Sequence, residues 1–214
     1  MLRIFYFTTK FYPEFGGMAQ ISHTLCRGFA RLGHRVFLAT TTPHNDVDDR
    51  ALPYDVLRAP SPSAFMRQLL NCDVHVQANV SLKHAWPIVI CPQRLIYRHD
   101  NAYSDRAGRK QFRATVRGLI ARRLPGIGVS RFIANEVGCR HAILNAYDTE
   151  TFWLERAWEA RERDIVFVGR VAANKGVDVL LAALAVLRDR GLRPNLTVVG
   201  TGPADASLRA MAQE

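Results

Sequence analysis

At 214 residues the chain is about 1.4 times the length of a typical domain of roughly 150 residues. A hydrophobic share of 48% against 22% charged residues excludes a disordered polymer and leaves ample material for a core. Lysine and arginine number 29 against 19 acids, a formal net charge of +10, which points to an anionic partner.

No run approaches the ~18 to 20 apolar residues of a membrane span. The opening residues read as a strand followed by a glycine turn rather than as a cleaved leader. The expected location is therefore cytoplasmic. Cys26, Cys72, Cys91 and Cys139 stand far apart, without metal-ligand spacing, and read as unbridged thiols; no metal is assigned. The charge is uneven. Residues 1–153 carry 20 basic and 11 acidic side chains, and residues 154–214 carry 9 and 8. The first part is thus the one suited to nucleic acid, an anionic membrane surface or phosphorylated substrates.

In chain order, strands are expected at Leu2–Thr8, Arg35–Thr41, Asp55–Ala59, Asp73–Gln77, Pro87–Cys91, Arg94–Arg98 and Gly126–Ser130, with a weaker one at Ala142–Leu144. Between the first two lies a helix with Met18, Ile21, Leu25, Phe29 and Leu32 on one face, closed by Gly33. Further helices are expected at Ser61–Leu70 and Gly108–Arg123. Short β runs interleaved with helices imply an α/β protein with a mainly parallel, Rossmann-like sheet. The charged, tryptophan-containing stretch 148–163 breaks the rhythm. A second series then begins: strand Asp164–Val171, helix Val177–Arg190 ending at Gly191, strand Asn195–Val199, and a helix from near Ala204. The expected organisation is a domain over 1–153, a linker over 154–163 and an incomplete second domain over 164–214.

Three loops carry the chemistry. Gly16-Gly17 opens the first helix, where glycine lets a ligand approach the backbone and unpaired N–H groups face an anion. A plain βα turn is the simpler reading of those two residues alone. In the second series Gly169-Arg170 ends a strand and Lys175-Gly176 precedes a helix. An Arg fork, a Lys point charge and a helix dipole together suit a diphosphate, though two solvated cations would look the same. Gly200-Thr201-Gly202-Pro203 ends the next strand. It is not a dinucleotide fingerprint, because Asp205 occupies the third glycine position.

Phe167-Val168-Gly169-Arg170-Val171, Lys175-Gly176-Val177-Asp178 with Leu181 and Ala183, and Val198 to Pro203 together resemble the nucleotide-binding domain of family 4 retaining glycosyltransferases. Tyr12-Pro13, Gly16-Gly17, Leu32 to Val36, His99-Asp100, Val129-Ser130, Asn145, Asp148 and Phe152 also fall in that family's order. The resemblance implies a GT-B architecture, in which an N-terminal Rossmann-like domain holds the acceptor and the C-terminal one holds a sugar nucleotide. It implies a catalytic set of His99, Arg170 and Lys175, with His99 near the transferred sugar or acceptor. The donor-binding set is Gly16, Gly17, Gly169, Arg170, Lys175, Gly200 and Gly202. Arg170 and Lys175 would grip the donor diphosphate, with no cofactor or metal. Asn145 and Asp148 are expected to shape the interdomain turn.

The acceptor implied is a glycan or a lipid-linked molecule in polysaccharide or lipopolysaccharide biosynthesis. The family's second domain continues to a Glu-x7-Glu pattern, whereas nothing follows Glu214 and Glu155, Glu159 and Glu162 lie in the linker. The expectation is a truncated chain with little transferase activity alone. A non-catalytic module binding a membrane or partner is the alternative. From Arg106 to Arg123 the chain is basic and free of acids, with Phe112, Val116, Leu119 and Ile120 at helical spacing. Either this helix faces the core with a solvated basic side, or Arg109, Arg113 and Arg117 rest on anionic lipid at the inner face of the membrane. Nucleic acid is not expected, because no nucleic-acid-binding signature accompanies the charge.

Overall fold

The computed structural model describes residues 1–14, 16–44, 48–84, 86–91, 94–101, 112–153, 160 and 164–213; the side chains of 82, 88, 112–115 and 117 lie outside that description. The chain divides into two units, Met1–Phe152 and Trp153–Glu214.

Unit 1 is built on a seven-stranded parallel sheet. Its strands are β1 (Arg3–Thr8), β2 (Arg35–Thr40), β3 (Asp55–Arg58), β4 (Val74–Ala78), β5 (Leu95–His99), β6 (Gly126–Gly128) and β7 (His141–Ala142), in the spatial order 3-2-1-4-5-6-7. That order is Rossmann-like, with the strand sequence reversing beside β1. The register Tyr6↔Leu38 and Tyr6↔Val76 gives β1 a strand on either side. Its residues Phe5, Tyr6 and Phe7 are at most 1% exposed, as a strand covered on both faces requires.

Helix α1 (Gly17–Arg31) covers one face, only in part with the side chains that the 3.6-residue period selected. Ala19, Ser22 and Cys26 are buried, Leu25 and Phe29 pack partly, and Leu32 is 74% exposed. Small residues let the helix backbone lie close to the sheet, while the larger ones flank the contact. Gly33 follows with φ of 80°, in the left-handed conformation that closes helices. Helix α2 (Pro62–Asn71) begins at Ser61, whose hydroxyl accepts from Ala64 N. Its Phe65 and Leu69 join Phe5, Phe7 and Cys72 in a core cluster on the sheet.

Two local expectations change. Pro87–Ile90 is a short helix, α3, not a strand. Proline fits the first helical position but cannot donate to a central ladder, and a four- or five-residue apolar run carries no periodicity to decide between the two. Residues 131–137 form an unexpected helix, α5 (Arg131–Val137), capped by Ser130 Oγ accepting from Ile133 N at 3.1 Å. The expected strand there is correspondingly shorter, ending at Gly128. Helix α4 is described over Phe112–Ala121, so 108–111 of the expected helix lie outside the described residues. Cys26, Cys72 and Cys91 are buried free thiols, and burial raises Cys72 to about 11.

Unit 2 pairs β8 (Ile165–Val168) in parallel with β9 (Leu196–Val199), in register Ile165↔Leu196. Helix α6 (Val177–Asp189) connects them and α7 (Asp205–Met211) follows. Val168 and Val199 remain 74% and 51% exposed, so this small sheet leaves apolar strand surface open.

Candidate functional site

In an open parallel sheet, ligands bind beyond the carboxyl ends of the strands, where loops meet helix N-termini. In unit 1 the loop after β1 is held from several sides. Arg58 Nη1 donates to Tyr12 O at 2.7 Å, Thr42 Oγ1 accepts from Phe11 N at 3.0 Å, and Thr41 Oγ1 donates to Thr9 O at 2.6 Å. The Arg58 side chain, 5% exposed, is fixed by Asp49 through Nε and Nη2 at 2.7 and 2.8 Å. From this braced segment the chain reaches Gly16 and Gly17. A Cβ placed on either would meet nothing within 4 Å. Helix α1 starts there with no side-chain cap and no acid in its first turn.

Next along the edge lies a polar cluster that sequence reasoning missed. Arg98 is 7% exposed; Nη1 donates to Tyr6 Oη at 2.8 Å, and Nη2 donates to the Asp100 carboxylate and, at 3.3 Å, to Asn145 Oδ1. Asn79, at φ 61° just after β4, donates from Nδ2 to Asp100 Oδ2 at 3.1 Å and accepts Asp100 N at 2.8 Å. Burial raises the Asp100 carboxyl above its ordinary range, against the pull of Arg98. Burial likewise raises the Tyr6 phenol. The adjacent His99-Asp100 pair drew attention to this edge, but no spacing rule links Tyr6, Asn79, Arg98 and Asn145.

His99 does not reach the open edge. Its ring is 0% exposed, stacks with Tyr97 at 5.9 Å between centroids, and lies where a Cβ on Gly126 would stand 2.8 Å from Nε2. Burial lowers it to about 4, so it is neutral at pH 7. In this structure the His99 ring, expected beside a sugar or acceptor, packs against Tyr97 and Gly126. Asp148 stays within unit 1: it accepts from Arg27 Nη1 at 2.9 Å and from Glu150 N at 3.0 Å, while Glu150 takes Arg27 and Arg31.

In unit 2, β8 ends at Gly169 and the exposed Arg170, and Lys175 closes a 3-10 turn over Ala173–Lys175. Gly176, at φ 73°, then opens α6 without a side-chain cap. Both cations and the α6 N-terminus thus lie on the carboxyl side of β8. Gly200 and Gly202 answer a different demand. A Cβ on Gly200 would stand 1.9 Å from Gly169 O, and one on Gly202 would stand 2.0 Å from Val171 O. The two loops continue the strand pairing, with Gly169 N donating to Val199 O and Val171 N to Thr201 O, each at 3.0 Å. These glycines hold the loops together.

Residues 162–214 match the family model for Glycosyl transferases group 1. Three solved structures share the fold. One is WaaG, a glycosyltransferase involved in lipopolysaccharide biosynthesis, at 16% identity and TM-score 0.60 over 98% of this chain and 66% of that one. A second is an alpha-glucosyltransferase in complex with UDP and a mismatched DNA, at 14% identity and TM-score 0.57, over 100% of this chain and 59% of that one. A third is the catalytic domain of starch synthase IV from Arabidopsis thaliana, bound to ADP and acarbose, at 12% identity and TM-score 0.61, over 99% and 71%. The chain therefore spans 66% and 59% of the first two. No curated protein sequence matches.

A groove of unit 2, about 760 Å³, is bordered by α6, α7 and β9, and its lining mixes Leu181, Leu184 and Leu208 with Arg188, Asp205 and Arg209. Arg170 and Lys175 are not among its lining residues. Among the described residues no group of His, Cys, Asp and Glu is placed to hold a metal ion, and no helix is long and apolar enough to cross a membrane. Arg109 lies outside the described residues, as do the side chains of Arg113 and Arg117.

Proposed function

We propose that this chain carries the acceptor-side domain and the diphosphate-binding start of the donor domain of a retaining GT-B glycosyltransferase of family 4. It serves transfer of a sugar from a nucleoside diphosphate to a glycan or lipid-linked acceptor, in polysaccharide or lipopolysaccharide biosynthesis. One observation carries the reading: the family match over 162–214 begins just before β8 and covers the loop bearing Arg170 and Lys175.

As the glycosidic bond breaks, negative charge grows on the departing diphosphate. The Arg170 guanidinium can fork two of its oxygens, Lys175 adds a point charge, and the uncapped α6 N-terminus adds its dipole. Cations aimed where charge develops lower the barrier more than cations that bind the ground state equally. In this reading side chains supply the countercharge, without a metal or cofactor. Gly16 and Gly17 offer backbone N–H groups from unit 1 to the same kind of anion, and no crowding within the unit explains why both are glycine.

Calorimetry of the chain with UDP, GDP and ADP tests the proposal. One diphosphate should bind, and Arg170→Gln or Lys175→Gln should weaken it about tenfold, the loss of one charge-assisted contact. No heat with any of the three would contradict donor binding and favour a non-catalytic module.

A further inference from the structure

Unit 1 ends on a segment that leaves the sheet and then returns to α1. Ile143 N donates to Gly128 O at 2.9 Å, extending the pairing of β6 with β7. Residues 144–147 are exposed, and the unit closes at Phe152. Between them stands a turn built on Asp148. Its carboxylate accepts Glu150 N at 3.0 Å and Thr151 Oγ1 at 3.1 Å, and its carbonyl accepts Thr151 N and Phe152 N at 3.2 and 2.8 Å. A carboxylate that binds the backbone two residues on fixes a turn without help from a sheet.

Charge holds this turn against α1. Arg27 and Arg31 stand one helical turn apart, where two like charges repel unless an acid is shared between them. Glu150 is that acid, accepting from Arg27 Nη2 at 2.8 Å and from Arg31 Nη2 at 3.1 and 3.2 Å. Arg27 Nη1 donates to Asp148 at 2.9 Å, so one guanidinium spans both acids, which a single ammonium cannot copy. The partners lie 119 to 123 residues apart, and each contact is therefore tertiary. Isolated surface ion pairs contribute little, but a network sharing one guanidinium and one carboxylate fixes geometry. Asp148 is held below the usual carboxylate range first by Glu150 N, and Glu150 first by Arg31.

We propose that Arg27, Arg31, Asp148 and Glu150 form an ionic clasp that sets how much chain is free to join the two units. Closed, it keeps 148–152 on α1. Open, it releases the chain back to Asn145, whose Oδ1 meets Arg98 Nη2 at 3.3 Å. About seven residues at up to ~3.5 Å each then add about 24 Å of reach to the connection. A longer connection lowers the effective concentration of one unit at the other. The clasp opens by parting side chains at the surface and leaves the core intact, so ionic strength controls it. It rests on contacts within unit 1 and on the division into two units, not on sugar transfer.

Amide exchange and chymotrypsin cleavage of the whole chain test it. Thr151 N and Phe152 N should exchange several-fold faster at about 1 M NaCl than at about 0.05 M, while the amides of Tyr6 and Val76 keep their rates. R27Q/R31Q should bring the low-salt rate up to the high-salt one and remove the salt dependence. R27K, which keeps the charge and loses the fork, should fall between. Tyr147 is 67% exposed already, so cleavage after it is limited by release of the backbone and should rise about tenfold in R27Q/R31Q. Nucleotide binding enters neither readout. Exchange and cleavage that ignore both salt and R27Q/R31Q overturn the proposal. So does a fall in the urea midpoint of β5 in R27Q/R31Q, which would make these residues part of the core rather than a clasp.

Discussion

The loops after β1 and after β9 both carry closely spaced glycines, yet the two pairs sit under opposite constraints. At Gly200 and Gly202 a Cβ would overlap the carbonyl oxygens of the neighbouring loop, so the fold itself demands glycine. At Gly16 and Gly17 a Cβ would meet empty space, and Gly16 has an extended φ of 169° that any residue adopts. A glycine that the fold demands reports on packing. One that the fold does not demand is free to serve a ligand, such as an anion at the N-terminus of α1.

The largest expected effect comes from the packed side of this comparison. Gly202→Ala should cost unit 2 about 4 kcal/mol or unfold it, because the obstacle is backbone that cannot swing aside. Amide hydrogen exchange in β8 and β9 would read this directly, and wild-type protection in the variant would break the contrast.

Unit 1 should lose about 3 kcal/mol with Arg98→Met, which leaves Asp100 and Tyr6 without their buried cation. A urea midpoint followed on β5 checks this. His99 and His75 should make the same unit acid-sensitive. Both are lowered by burial to about 4, against 6.5 in the unfolded chain. The unfolded state therefore takes protons first as pH falls, so stability is complete above about 6.5 and declines until about 4. Each histidine contributes a loss of about 2 kcal/mol between pH 7 and 5. His99→Gln should flatten the curve by roughly half, and an unchanged slope would contradict its neutral burial.

The smallest effect on stability, within about 0.5 kcal/mol, is expected from Gly17→Ala. Its effect should appear instead in the affinity of unit 1 for inorganic pyrophosphate, read by calorimetry. A large fall in stability with no change in affinity would erase the distinction between the two loops.

Much of the fold was legible because it follows from periodicity. The alternation of short apolar runs with helical stripes gave the order of strands, and Gly33 and Gly191 marked helix ends. Helix α1 shows the limit. The period chose Leu32, while the sheet received Ala19, Ser22 and Cys26, since close approach rewards small residues that a hydropathy pattern undervalues. Pro87–Ile90 was too short for any period to distinguish helix from strand.

The site divided in the same way. Arg170 and Lys175 could be placed on one loop from the sequence because a βα turn keeps them within six residues of one another. The Tyr6–Asn79–Arg98–Asp100–Asn145 cluster was not, because it draws on four separate segments that only the folded sheet brings together. His99 had the right address, at the end of β5, but side-chain direction is not written in strand position.

The central claim is that a nucleoside diphosphate meets the exposed cations after β8 rather than the groove between α6 and α7 of the same unit. Amide chemical-shift mapping of the chain with UDP, GDP and ADP tests it most directly. The account predicts that one of them shifts Arg170, Lys175 and Gly176. Shifts confined to Leu181, Leu184, Leu208 and Met211, or none with any of the three, would contradict it.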